Sequence, residues 1–433
     1  MSVVPYPVPT TSTQWQSFYG GATSTESCLY YDKYGNLNVE LTLNGNAILP
    51  DYMSLAREVQ RHPTAPINIS LWHWPAIELS LSLQPHMSLL WSVFHRWHTA
   101  RFDIPLLNYL MKKTSWMDAE RPRPHYFTSL MIRNIGKAGE LAPSLTRLIT
   151  VLLCNRYASL HRIDICDSGY TMPPLKYLAK IPFENLTSIR FLDTRCSAAQ
   201  AHEILQGSLN VREFYATAIT GPNPRAEVFV AACVNLRVLN IQLDELDFDR
   251  DDFGHVFALL DRIAAPDLEQ LTLGYESDWS STHFAEFYVA VQPRIRKLHL
   301  HKMRLNEVQL MNALRLNEDI EELILDGQED HWRGAPPPLL FSERSCPFYM
   351  TNPNGYLIPD LKNLTVRDNC IDESGSFGQL VRDRFKHDNL KEVVILGEPD
   401  GKGLCREDRK ILQYLSSKGL RLSFLESLPE ASC

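Results

Sequence analysis

The sequence predicts an α/β fold with parallel strands, and three observations carry the prediction. First, an apolar-x-x-Leu-x-Leu hexad, Ile295-Arg296-Lys297-Leu298-His299-Leu300, returns 25 residues later as Ile320-Glu321-Glu322-Leu323-Ile324-Leu325. Second, looser copies of that hexad start at Phe127, Leu160, Leu186, Val211, Leu236, Leu268, Leu361 and Leu390. Third, apolar residues between the copies fall at helical spacing. A short strand and a helical or irregular return, repeated at such a period, is the signature of a leucine-rich repeat. One turn cannot bury its own apolar residues, so the copies must stack. The predicted architecture is an irregular leucine-rich-repeat solenoid, a horseshoe with parallel strands on its concave side and helices outside.

The spacings support repetition over coincidence. From Phe127 onward they are 33, 26, 25, 25, 32, 27, 25, 41 and 29 residues, so every departure from 25 is an addition. A turn tolerates extra surface loop but does not close with too few residues.

In chain order, prolines 5, 7 and 9 and the Thr, Ser and Gly residues that follow suggest a loose start. Leu37 to Leu43 alternates apolar and polar and ends at Asn44-Gly45-Asn46, as a half-buried strand does. Pro50 to Gln60 reads as a short helix. Ile67, Ile69 and Leu71 alternate, as do Ile77, Leu79, Leu81 and Leu83, with a turn at Trp72-His73-Trp74-Pro75 between them. Trp97-x-x-Ala100-x-Phe102 is a degenerate hexad. Later, Phe253, Val256, Phe257, Leu260 and Ile263 predict a helix ended by Pro266, and Val308, Met311, Ala313 and Leu314 predict another. A helix around Ile411, Leu412 and Leu415, capped by Gly419, and a strand over Leu420 to Leu425 form a closing unit. The divisions are an N-terminal segment (1–66), a linker or cap region (67–126) and a repeat domain (127–433).

Composition narrows the function. With 44% apolar residues, 22% charged residues and a net charge of −8, the chain suits neither a disordered segment nor a nucleic-acid-binding surface. No secretory leader is evident and no apolar run approaches membrane-spanning length, which points to a soluble cytoplasmic or nuclear protein. The nine cysteines are odd in number and scattered, and Cys166, Cys196 and Cys370 sit where a small buried thiol fits. The sequons at Asn68, Asn185 and Asn363 read as chance matches.

Motifs for catalysis or cofactors are weak. Asp244 to Asp252 resembles a calcium loop, but an EF-hand started at Asp247 needs Gly where Asp252 stands and Glu where Ala258 stands. Those acids suit the N-terminus of the following helix. Gly397 to Gly403 has three residues, not four, before its Gly-Lys and then Gly403, so it reads as a turn rather than a phosphate loop. His299 and His301 share one face of a strand, but no third ligand is evident beside them and they read as solvent-facing strand residues. No catalytic, cofactor or metal residue is assigned.

Recognition fits better. Outward strand positions place Arg162, Asp164, Arg190, Glu213, Tyr215, Asn240, Gln270, Thr272, Lys297, His299, His301, Glu322 and Thr365 on the concave face. Their mixed signs, amides and one tyrosine suit a protein partner. A long insertion, Gln328 to Asp360, carries Trp332, Phe341, Phe348, Tyr349 and Tyr356, which would contact a partner or fold back over the rim.

Two stretches resemble the fungal F-box proteins with irregular leucine-rich repeats. They are Ile77-Glu78-Leu79-Ser80-Leu81-Ser82-Leu83 with His95-Arg96-Trp97 and Ile104-Pro105, and the irregular hexads ending in Leu415-x-x-x-Gly419-Leu420. The resemblance implies the substrate-recognition part of a ubiquitin-ligase subunit, whose F-box binds a Skp-type adaptor and through it a cullin. The F-box itself is not recognisable, since sixteen residues separate Pro50 from Ile67. The expected function is non-catalytic protein recognition of that kind, with a stand-alone repeat scaffold or inhibitor as the alternative.

Overall fold

The computed structural model describes residues 29–43, 51–73, 84–103, 127–133, 160–166, 183–221, 223–224, 230–243, 255–274, 279–303, 305–327, 340–341, 357–387, 390–398, 401 and 403–428. The chain is α/β. Among these residues a sheet of 16 strands, mostly parallel and not closed into a barrel, runs the length of the described chain.

Its strands are β1 (Leu29–Tyr31), β2 (Leu37–Leu43), β3 (Ile67–His73), β4 (Trp97–Asp103), β5 (Ser129–Arg133), β6 (Arg162–Cys166), β7 (Ser188–Leu192), β8 (Cys196–Ser197) and β9 (Glu213–Thr220). They continue, past the two-residue strands β10 (Ala231–Ala232) and β12 (Ile263–Ala264), with β11 (Val238–Leu243), β13 (Gln270–Gly274), β14 (Lys297–His301), β15 (Glu322–Leu325), β16 (Asn363–Arg367), β17 (Glu392–Leu396) and β18 (Arg421–Leu425). β10 and β12 pair only with each other. In the large sheet each strand lies beside the next in chain order, except that β8 adds to β9 beside the main path. β1 pairs antiparallel with β2, and every later pairing is parallel.

Register follows the hexads. Leu239, Leu271, Leu298, Leu323, Leu364, Val393 and Leu422 stand side by side from β11 to β18. All but Leu422 are at most 3% exposed. On β9, β11 and β14 the neighbouring residues are mostly half-buried, as in β14, where Leu298 and Leu300 are buried while Lys297, His299 and His301 are not, whereas on β15 and β16 Ile324 and Thr365 are buried too. Period-two alternation therefore puts one face of the sheet in the core and leaves the other, among the described residues, bare of a core of its own and mostly half-buried.

Helices fill the returns. Ala198–Gly207 is opened by a capping box, in which Ser197 Oγ accepts from Gln200 N–H and the Gln200 side chain accepts from Ser197 N–H. Glu307–Arg315 opens the same way on Asn306 and Gln309, burying Leu310, Ala313 and Leu314. Val308, expected on the apolar stripe, is exposed. The helix expected over Phe253 to Ile263 is described over His255–Leu260 and ends before Ile263, because the chain turns at Asp261-Arg262 and Ile263 joins β12. The acids assigned to its N-terminus lie outside the described residues. The closing helix is Arg406–Ser417, followed by Gly419 at φ +108° and β18.

The parallel series reaches further back than the hexads suggest, since β2, β3 and β4 already pair in parallel. Trp72 and His73 extend β3 instead of turning, and the strand expected around Ile77 to Leu83 lies outside the described residues. Arg96 and Trp97, in the stretch that resembles the F-box linker, are core residues. The Arg96 guanidinium donates to the carbonyls of Val59, His62 and Ala65, so it holds the end of the helix Tyr52–Arg61. Trp97 Nε1 donates to Leu90 O at 3.0 Å.

Gly397 takes φ +144°, and a Cβ there would meet Asp368 Oδ2 at 2.2 Å. A Cβ on Gly403 would meet the same oxygen at 2.1 Å. In the stretch that resembles a phosphate loop, Gly397 and Gly403 thus lie against a carboxylate, and Glu398 N–H donates to Asp368 Oδ2 at 3.2 Å. Cys166, Cys196 and Cys370 are buried and form no disulfide, as expected.

Candidate functional site

The bare face of the sheet gathers most of the predicted recognition residues. One row across the strands reads Arg162, Ser188, Glu213, Val238, Gln270, Lys297, Glu322, Asn363, Glu392, Arg421. The adjacent row reads Asp164, Arg190, Tyr215, Asn240, Thr272, His299, Ile324, Thr365, Val394, Ser423. Strands lie about 4.8 Å apart, so side chains in a row reach across to one another.

At one end the cross-strand contacts form a linked set. Arg162 Nη2 pairs with Asp164 Oδ2 at 2.7 Å, Arg190 Nε approaches Asp164 Oδ1 at 4.0 Å, and Arg190 Nη2 donates to Glu213 Oε2 at 2.8 Å. Ser188 Oγ donates to the same Glu213 oxygen at 3.0 Å, and the Arg190 guanidinium lies 4.5 Å from the Tyr215 ring centroid. Burial would raise the Glu213 carboxyl, but the Arg190 hydrogen bond and charge, helped by Ser188, hold it below the usual range. For Tyr215 burial prevails and pushes the phenol up.

Two expected contact residues are instead buried. Asp164 is 4% exposed, enclosed by Arg162 and Arg190, and Thr365 is 8% exposed. Both belong to the face by register, and the Asp164 carboxylate holds the guanidinium of Arg162. Gln270 is exposed, Thr272 is half-buried, and Asn240 accepts from Gln242 at 2.9 Å. Lys297 Nζ pairs with Glu322 Oε1 at 2.8 Å.

Farther along the face His299, on β14, turns Nε2 to Asp326 Oδ2 at 3.1 Å, and His301 turns Nδ1 to the same oxygen. The carboxylate is 4% exposed, and Lys302 N–H donates to its Oδ1 at 2.9 Å. Burial would raise this carboxyl; the bonds and charges of the two histidines override it and hold Asp326 far below the ordinary range. Asp326 is the residue the sequence reading missed. The signal was present, because Leu300 pairs with Leu325 and the next residues along, His301 and Asp326, are one 25-residue period apart.

The insertion divides. Phe341 is buried at 2%, bridged to Ile371 and edge-on to the Phe377 ring at 5.3 Å, so it folds back into the core. Trp332, Phe348, Tyr349 and Tyr356 lie outside the described residues. Among the described residues no helix is long and apolar enough to cross a membrane. Neither any family model nor any curated sequence matches the chain.

Proposed function

We propose that this chain is a non-catalytic recognition module of the leucine-rich-repeat kind, a solenoid that docks a protein partner on the bare face of its sheet. One observation carries the reading. Parallel sheets are ordinarily covered on both faces, whereas here, among the described residues, the alternation of buried and half-buried residues on β9, β11 and β14 sets a core face against one that keeps access to solvent. That face carries both signs of charge, amides and Tyr215 rather than an apolar patch, which suits a polar protein interface. The ion pairs along it hold the long side chains in fixed positions, lowering the entropy lost on docking.

The link to a ubiquitin ligase rests on the sequence resemblance alone. Both points are tested by a pull-down with the tagged full chain, quantified by mass spectrometry beside the variant Lys297→Glu/Thr272→Arg. The reading expects at least a tenfold loss of the enriched partner in the variant, with unchanged thermal unfolding. Equal retention by both proteins would refute the face assignment. Recovery of a Skp-type adaptor and a cullin supports the ligase reading; another partner without them favours the stand-alone scaffold.

A further inference from the structure

We propose that His299, His301 and Asp326 form a site for a single divalent transition-metal ion of the zinc class. His299 and His301 stand two residues apart on β14, so their rings project from the same face of the sheet. Their ring centroids are 5.5 Å apart at 74°, and His299 Nε2 and His301 Nδ1 both turn to one point. That point is occupied by Asp326 Oδ2, and one ligand atom from each of the three residues lies within 4.8 Å of the others. Donors on a zinc ion at about 2.0–2.2 Å stand roughly 3.3 Å apart in a tetrahedron, close to the 3.1 Å between His299 Nε2 and Asp326 Oδ2.

The carboxylate is also held from behind. Lys302 N–H donates to Oδ1, leaving Oδ2 on the side of the imidazoles, while Arg367 Nε donates at 2.5 Å to the backbone carbonyl of Asp326 and so fixes the main chain that carries the carboxylate. Such outer contacts orient a ligating carboxylate and raise its affinity for metal. Both histidines are half-buried on the bare face, so a bound ion keeps coordination positions open to solvent or to a docked side chain. Two imidazoles with one carboxylate select zinc, iron, copper or nickel over calcium and magnesium, which prefer all-oxygen sets. Binding needs no redox step: the ion takes His299 Nε2, His301 Nδ1 and Asp326 Oδ2, and any proton on those atoms passes to solvent.

The test is isothermal titration of the metal-stripped full chain with zinc chloride, with magnesium chloride as control. Cobalt(II) absorption in the visible serves as an independent probe of coordination. The site predicts one zinc per chain, no magnesium binding, and at least a tenfold weaker zinc affinity in each of His299→Ala, His301→Gln and Asp326→Asn. Circular dichroism of each variant establishes that it is folded, and His301→Gln keeps a polar side chain facing Asp326 should the alanine variant unfold. Absence of zinc binding by the wild-type chain overturns the proposal. So does zinc binding that survives in folded His299→Ala/His301→Gln, which would place it elsewhere, for example at Asp261, His283 and Glu286.

Discussion

Leu271 and Thr272 are neighbours on β13, yet the fold assigns them opposite consequences. Leu271 is 0% exposed and stands between Leu239 and Leu298 in the apolar row, while Thr272 lies on the bare face between Asn240 and His299. Leu271→Ala removes three carbons from water-free packing. At about 0.8 kcal/mol per methylene the transfer loss is roughly 2.4 kcal/mol, and the cavity left behind brings the cost to about 3–5 kcal/mol. Thr272→Ala removes one hydroxyl and one methyl from a half-buried side chain and should change stability by about 0.5 kcal/mol or less. Urea unfolding followed by tryptophan fluorescence measures both, with the midpoint read at constant slope. Equal midpoint shifts for the two variants, or a larger one for Thr272→Ala, would mean that the register of β13 is wrong by one residue, since such a slip exchanges the two faces.

Three other outcomes follow from the same geometry. Arg96→Met should destabilise the chain by about 2–4 kcal/mol, since three bonds from a charged donor are lost and only the part-buried carbonyls regain water; a thermal shift as small as that of Thr272→Ala would contradict this. Burial pushes the thiols of Cys196, Cys233 and Cys370 up to about 12, so per-residue mass spectrometry after brief alkylation at pH 8 should find them unmodified in folded protein and modified in urea. Because the folded Glu213 carboxyl is depressed, its contribution is complete above the unfolded value near 4.3 and is lost as pH falls through the lower folded value; Glu213→Gln should flatten the acid side of the stability profile, and an unchanged profile would count against the Arg190 pairing.

Much of the sheet was legible before any coordinates. The hexads from Phe127 to Leu390 each mark a parallel strand, because an apolar-x-x-Leu-x-Leu pattern states both strand period and buried face in six residues. Returns were read less well. The helix near Phe257 ends early because Ile263 finds a strand partner in β10, a long-range pairing that no local periodicity announces. Arg96 would be read from sequence as a surface charge, and it is buried only because three carbonyls from 31, 34 and 37 residues earlier converge on it.

The α/β class, the one-residue alternation of the strands and, through the 25-residue interval between β14 and β15, the membership of each row are all written in the order of residues. Those properties are local or periodic, so they are written wherever the pattern is. Which side chains touch emerges from the folded chain: Asp164 is enclosed by two arginines, Phe341 returns to the core, and Asp326 stands at the focus of His299 and His301. The physical reason is that contact depends on the last few ångströms of register and side-chain direction, which are set by packing among strands far apart in the chain.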